Sequence, residues 1–105
     1  MKYRIRYSPA AMKDMDRVWD GVVQASSSYE TADKYVEEFA DKIAGKTDFP
    51  ESGIPLYYRG LFTGFYSVNF KAYKAFYRIK DGYIEVIRVL PAMMEYLKTL
   101  FGESE

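Results

Sequence analysis

Gly64-Phe65-Tyr66-Ser67-Val68-Asn69-Phe70-Lys71-Ala72-Tyr73-Lys74-Ala75-Phe76-Tyr77-Arg78-Ile79 leads through Lys80 and an Asp81-Gly82 pair into Tyr83-Ile84-Glu85-Val86-Ile87-Arg88-Val89-Leu90. Aromatic and β-branched residues dominate this stretch, as strands require. Asp-Gly is a pair that two-residue hairpins favour, so segments 73–80 and 83–90 read as antiparallel neighbours, with a further strand at 65–71 before them. Pro91 ends the last strand, because it has no N–H to give to a ladder. The strands carry cations beside aromatics, a surface that suits an anionic partner. A short helical tail over 93–101 should bury Met93 or Met94 together with Leu97, Leu100 and Phe101.

Upstream, Tyr3, Ile5 and Tyr7 alternate with Arg4 and Arg6, the pattern of a strand with one buried face. Ser8-Pro9 then opens a helix, with Ser as N-cap and Pro in the first turn. Met12, Met15, Trp19 and Val22 form its apolar stripe, and Asp14, Asp16, Arg17 and Asp20 fall on the solvent side. Ala25 to Ser28 breaks that helix, and Ser27 with Glu30 has capping-box spacing. The next helix carries Ala32, Tyr35, Val36, Phe39 and Ile43 on one stripe and stops near Gly45. Pro50, Gly53 and Pro55 mark a loop over 47–56, and 57–62 reads equally as a short edge strand or as more loop. The order β-α-α-β-β-β-α makes one α+β domain, with a helix pair on a small, mainly antiparallel sheet and a short C-terminal helix. The first strand belongs at a sheet edge.

Composition narrows the chemistry. The chain has 105 residues, the size of one domain, and 18% are aromatic, which speaks against disorder. Cysteine and histidine are both absent, which excludes disulfides, thiolate metal sites, Ser-His-Asp and Cys-His catalysis and zinc hydrolysis. No cofactor or metal is expected. No apolar run approaches the ~18 residues of a membrane span, so a soluble cytoplasmic protein is expected. Net charge is zero, yet residues 10–55 sum to −5 and residues 56–100 to +4. The helices are acidic and the sheet is basic.

In order and spacing, the chain resembles the RelE/ParE superfamily of type II toxin–antitoxin toxins. The matching residues are Tyr7-Ser8-Pro9-Ala10, Val18-Trp19-Asp20, Phe49 to Leu56, Tyr73 to Ile79, Ile87-Arg88-Val89-Leu90 and Glu95-Tyr96. The Trp-Asp in the first helix is closer to the ParE branch. The resemblance implies a toxin neutralised by a cognate antitoxin laid over the sheet and helices. One branch inhibits DNA gyrase; the other cleaves mRNA on the ribosome. For a ribonuclease the resemblance points to Lys74, Arg88 and Tyr96 as catalytic groups. For target or antitoxin binding it points to Lys71, Lys74, Arg78, Arg88, Met93 and Met94. The positions where ribonuclease members carry strand lysines read Ser67 and Asn69, and Pro91-Ala92-Met93-Met94 replaces a basic segment. A phosphorane needs preorganised cations, so these departures favour a toxin that binds a protein target over a nuclease. A member that keeps only antitoxin binding is a further alternative.

Overall fold

The computed structural model describes residues 2–94 and 96–102, with only the backbone at Tyr96. Strand β1 (Arg4–Tyr7) is followed by helices α1 (Pro9–Ser26) and α2 (Tyr29–Ala44). Two single 3₁₀ turns lead into β2 (Ile54–Tyr58), β3 (Leu61–Phe70), β4 (Tyr73–Lys80) and β5 (Tyr83–Pro91), and α3 (Tyr96–Phe101) closes the chain. The sheet order is β1-β5-β4-β3-β2; β1 lies on an edge, parallel to β5, and the other pairings are antiparallel. This is the expected α+β architecture. Among the described residues no helix is long and apolar enough to cross a membrane.

The undecided segment 57–62 resolves into a hairpin. Arg59 and Gly60 both take positive φ, and Tyr58 pairs with Leu61 across them. Beyond it the β2–β3 register slips between Pro55 and Tyr57, and Gly64 at φ +88° accommodates the extra residues of β3. Pro55 and this bulge hide the strand's alternation in the sequence. Asp81 and Gly82 also take positive φ, forming the tight turn that their pair promised.

Helices α1 and α2 cover one face of the sheet. Val18, Phe39 and Ile43 pack there on Val68, Ala75, Tyr77, Ile84 and Val86. Tyr35 meets Phe70 and Tyr73 edge-on, and Phe39 stacks on Phe70. Tyr77, fully buried, donates its hydroxyl to the Pro50 carbonyl at 2.5 Å. A Cβ at Gly53 would overlap that hydroxyl, so the loop can close over Tyr77 only with glycine there. Because strand residues alternate, Phe76 and Leu90, buried but outside this cluster, face the other way. On that far face Phe101 of α3 packs against Tyr58 and Phe65.

Several local expectations are corrected. Ser28, not Ser27, caps α2 by accepting from the Thr31 N–H; Ser27 is the left-handed residue that ends α1. The two caps are adjacent, so a single-residue shift was invisible in the Ser run. Helix α2 does stop at Gly45 as expected, though that residue stays right-handed and leads into a 3₁₀ turn. Met12 is exposed, and Trp19 lies at the rim of the helix pair, stacked on Tyr29 and donating Nε1–H to Asp33 at 2.8 Å. Met93 and Met94 precede α3 in a turn and are both exposed, Met93 at 97%. That turn, in which the Met94 N–H bonds the Pro91 carbonyl, removes them from the helical stripe.

Candidate functional site

Strand β1 stops pairing with β5 at Tyr7 and Val86, so the β5 edge beyond Val86 needs other partners. Helix α1 supplies them. Ser8 caps the helix by accepting the Ala11 N–H at 3.0 Å, and its hydroxyl donates to the Ile87 carbonyl at 2.8 Å. Two turns on, Asp14 accepts the Val89 N–H at 2.9 Å. The β4–β5 register shifts at this point, pairing Phe76 with Arg88 but Tyr77 with Val86, so Arg88 starts from the face of Phe76 and reaches Asp14 round the open edge of β5.

Arg88 grips Asp14 with two parallel bonds, Nε to Oδ2 at 2.7 Å and Nη2 to Oδ1 at 3.0 Å. Arg17 adds a contact from the next helical turn at 3.1 Å. Asp14 is only 3% exposed, which overturns its expected place on the solvent side of α1. The Asp14 carboxylate also pushes the Arg88 guanidinium above its already high pKa. Asp14, Arg17, Tyr73, Arg88, Leu90 and Met94 line a cavity of about 280 Å³ beside this pair.

The sequence-derived residues are not gathered in one place. Lys74 lies on β4 between Asn69 and Leu90, and since Tyr73 and Ala75 face the helices, Lys74 faces away. Arg88, paired with Phe76, starts from the same face as Lys74 and bonds α1 round the edge of β5. Arg78 pairs with Glu85 at 2.6 Å on the far face. Lys71 sits in the β3–β4 turn with φ +52°, its ammonium 5.0 Å from the Tyr35 ring, 5.1 Å from the Phe70 ring and 3.9 Å from Glu38. In the turn after β5, Met94 lines the cavity, while Met93 stands exposed. The side chain of Tyr96, like Glu95, lies outside the described residues. No group of three or more carboxylates stands close enough to hold a metal ion among the described residues.

Asp14 is the residue of this candidate site that sequence reading missed. Its helical periodicity put it on the wrong side, and its partner is 74 residues away. The signal available was indirect: a carboxylate one turn before the buried Val18 on a helix that must close a sheet edge.

The fold is shared with solved toxins. The toxin of the chromosomal ParDE system of P. aeruginosa aligns with a TM-score of 0.71 at 17% identity, over 86% of this chain and 96% of that one. A double mutant of the E. coli toxin RelE in its free state aligns at 0.65 and 18%, over 94% and 93%. The intact E. coli RelBE toxin–antitoxin complex gives 0.57 and 18%, over 88% and 99%. No curated protein matches in sequence. At such identities these likenesses establish the fold alone. The family model for the ParE toxin of the type II toxin–antitoxin system parDE matches residues 5–96. With that match spanning most of its length, the chain belongs to the ParE toxin family, within the RelE/ParE superfamily of type II toxin–antitoxin toxins.

Proposed function

We propose that this toxin acts by binding and inhibiting a protein target such as DNA gyrase, and that a cognate antitoxin holds it inactive. One observation carries the first half. Cleavage of RNA by its own 2′-hydroxyl needs cations converging on one phosphate. Here Arg88, which shares a face with Lys74 in the register, is committed to Asp14 of α1 at 2.7 and 3.0 Å. Ser67 and Asn69, on the far face beside Phe76 and Lys74, are uncharged. A guanidinium already doubly bonded to a buried carboxylate has much of its charge spoken for, which leaves little to stabilise a phosphorane.

The antitoxin half rests on the family and on surface chemistry. The solved relatives include toxin–antitoxin assemblies. Met93 and Met94 offer adaptable apolar contacts, and Lys71, Lys74 and Arg78 offer cationic ones for a segment mixing acidic and apolar residues. The test is pulsed labelling of DNA and protein synthesis after inducing the chain in a bacterium that lacks the antitoxin. Early arrest of DNA synthesis is the expected result. Early arrest of protein synthesis with fragmented mRNA would replace this reading with a ribosome-dependent endoribonuclease.

A further inference from the structure

Four cations frame a small rectangle on the far face of the sheet, at the end opposite Lys74. The register sets Arg4, Tyr83 and Lys80 in one row across β1, β5 and β4, and Arg6, Glu85 and Arg78 in the next. Ile5, Ile84, Val86, Tyr77 and Ile79 between them belong to the helix-side core, so alternation sends all six side chains to the other face. With strands ~4.8 Å apart and ~3.3 Å rise per residue, the four corners stand roughly 10 Å by 7 Å from one another. Phe101 of α3 lies elsewhere on this face, against Tyr58 and Phe65, over β2 and β3.

The rectangle is organised. Arg4, Arg6 and Lys80 are exposed, and Arg78 keeps 41% of its side chain in solvent while bonding Glu85. The Arg6 guanidinium lies 4.1 Å from the centre of the Tyr83 ring. The hydroxyl of Tyr83, beside Arg6 and Arg4, is held below the usual tyrosine range by their hydrogen bonds, a sign of a positive local field. A hollow of about 180 Å³ opens between Arg6, Lys80, Asp81, Tyr83 and Glu85. Against the four cations stand Glu85, spent on Arg78, and Asp81 at the hairpin tip.

We propose that this rectangle binds the phosphodiester backbone of a nucleic acid, with phosphates on Arg4, Arg6 and Lys80. The inference is independent of the protein-target reading and concerns a different part of the molecule. Two features select a nucleic acid over an acidic peptide. The charges spread in two dimensions, whereas a peptide adding to the β1 edge would reach Arg4 and Arg6 but not Lys80, two strands away. Three of the four are arginines, whose planar forks match phosphate oxygens pairwise.

The test titrates the full chain into a fluorescein-labelled DNA duplex, and into an RNA single strand of the same sequence, by fluorescence anisotropy from about 50 to 200 mM salt. Three phosphate contacts predict a log–log salt slope near −3 for the duplex, a loss of several tens of fold across that range. Arg4→Gln with Arg6→Gln should flatten the slope by about two and leave the thermal melt unchanged. Lys80→Gln should flatten it by about one, which keeps the test sound if the double variant folds poorly. Lys13→Gln, on α1, should change nothing. The tighter of the two probes identifies which nucleic acid is preferred. Absence of binding at the lowest salt, or a slope indifferent to all these variants, overturns the proposal. So does equal affinity for polyglutamate lost in the same variants, which would assign the patch to an acidic protein segment.

Discussion

Two arginine–carboxylate pairs hang from β5 three residues apart, one reaching round the sheet edge onto α1 and the other lying across two strands, and they have nearly the same shortest distance. Arg88 meets Asp14 at 2.7 Å, and Arg78 meets Glu85 at 2.6 Å. Their surroundings differ. Asp14, on the inner side of α1, and Arg88 have side chains 2% and 26% exposed, against 18% and 41% for Glu85 and Arg78. Distance therefore says little about what each pair does. A buried carboxylate must have its partners or pay the full cost of lost hydration, while an exposed pair exchanges protein contacts for water almost evenly. The inner pair fastens α1 to the open edge of β5. The outer pair tunes the charge of a surface.

Breaking the inner pair should have the largest effect. Asp14→Ala strands the Arg88 guanidinium and the Val89 N–H, and should cost about 3–5 kcal/mol in a urea titration. Arg88→Met should cost a comparable amount by leaving Asp14 underpaired. Asp14→Leu combined with Arg88→Met removes both charges, so the double variant should be markedly more stable than the two single losses summed. Strict additivity would mean that the pair is not energetically coupled, and the contrast between the two pairs would lose its basis.

Two tyrosines sharpen the contrast through pH. Burial raises the Tyr77 pKa to about 12 on the helix side, while the neighbouring arginines lower that of Tyr83 on the far face. The unfolded chain ionises its tyrosines near 10, so above that pH it binds fewer protons than the fold does at Tyr77. Stability should therefore fall from pH 10 to 12, by about 2–3 kcal/mol from this group, and stay level below pH 10 on its account. Tyr77→Phe should flatten that alkaline limb, at a separate cost of about 1–3 kcal/mol for the unpaired Pro50 carbonyl. In a spectrophotometric titration of the folded protein, Tyr83→Phe should delete an early-ionising tyrosine. An unchanged early phase would show that the arginine field at Tyr83 is weaker than its geometry implies.

What could be read in the sequence was whatever is local. The Asp81-Gly82 turn, the Ser8 cap and the alternation of β1 each involve residues within a few positions of one another, and the α+β order followed from them. Asp14 was illegible because helical periodicity knows nothing of an arginine 74 residues on. For the same reason Arg88 read only as a catalytic or binding candidate and not as the partner of a buried carboxylate. Strand β2 was obscured by Pro55 and an interrupted register. The rectangle needed the register as well. Its four cations come from two segments some seventy residues apart in sequence, and only the β1-β5-β4 order makes them neighbours.

The outer pair supplies the smallest effect and the closest comparison. Glu85→Gln keeps the shape and most hydrogen-bonding capacity of the side chain while deleting its charge. The pair is partly solvated, so stability should change by less than about 1 kcal/mol. The same substitution releases the charge of Arg78 to the rectangle, so binding to duplex DNA should tighten several-fold at low salt, with a slope steeper by up to about one. Asp14→Asn, equally isosteric, should instead destabilise the protein and leave that slope alone, since Asp14 lies on the other side of the sheet. If Glu85→Gln were as destabilising as Asp14→Asn, exposure could not be what divides the two pairs. Equal stability with no change in the slope would instead show that Arg78 takes no part in the rectangle, whose contacts would then rest on Arg4, Arg6 and Lys80 alone.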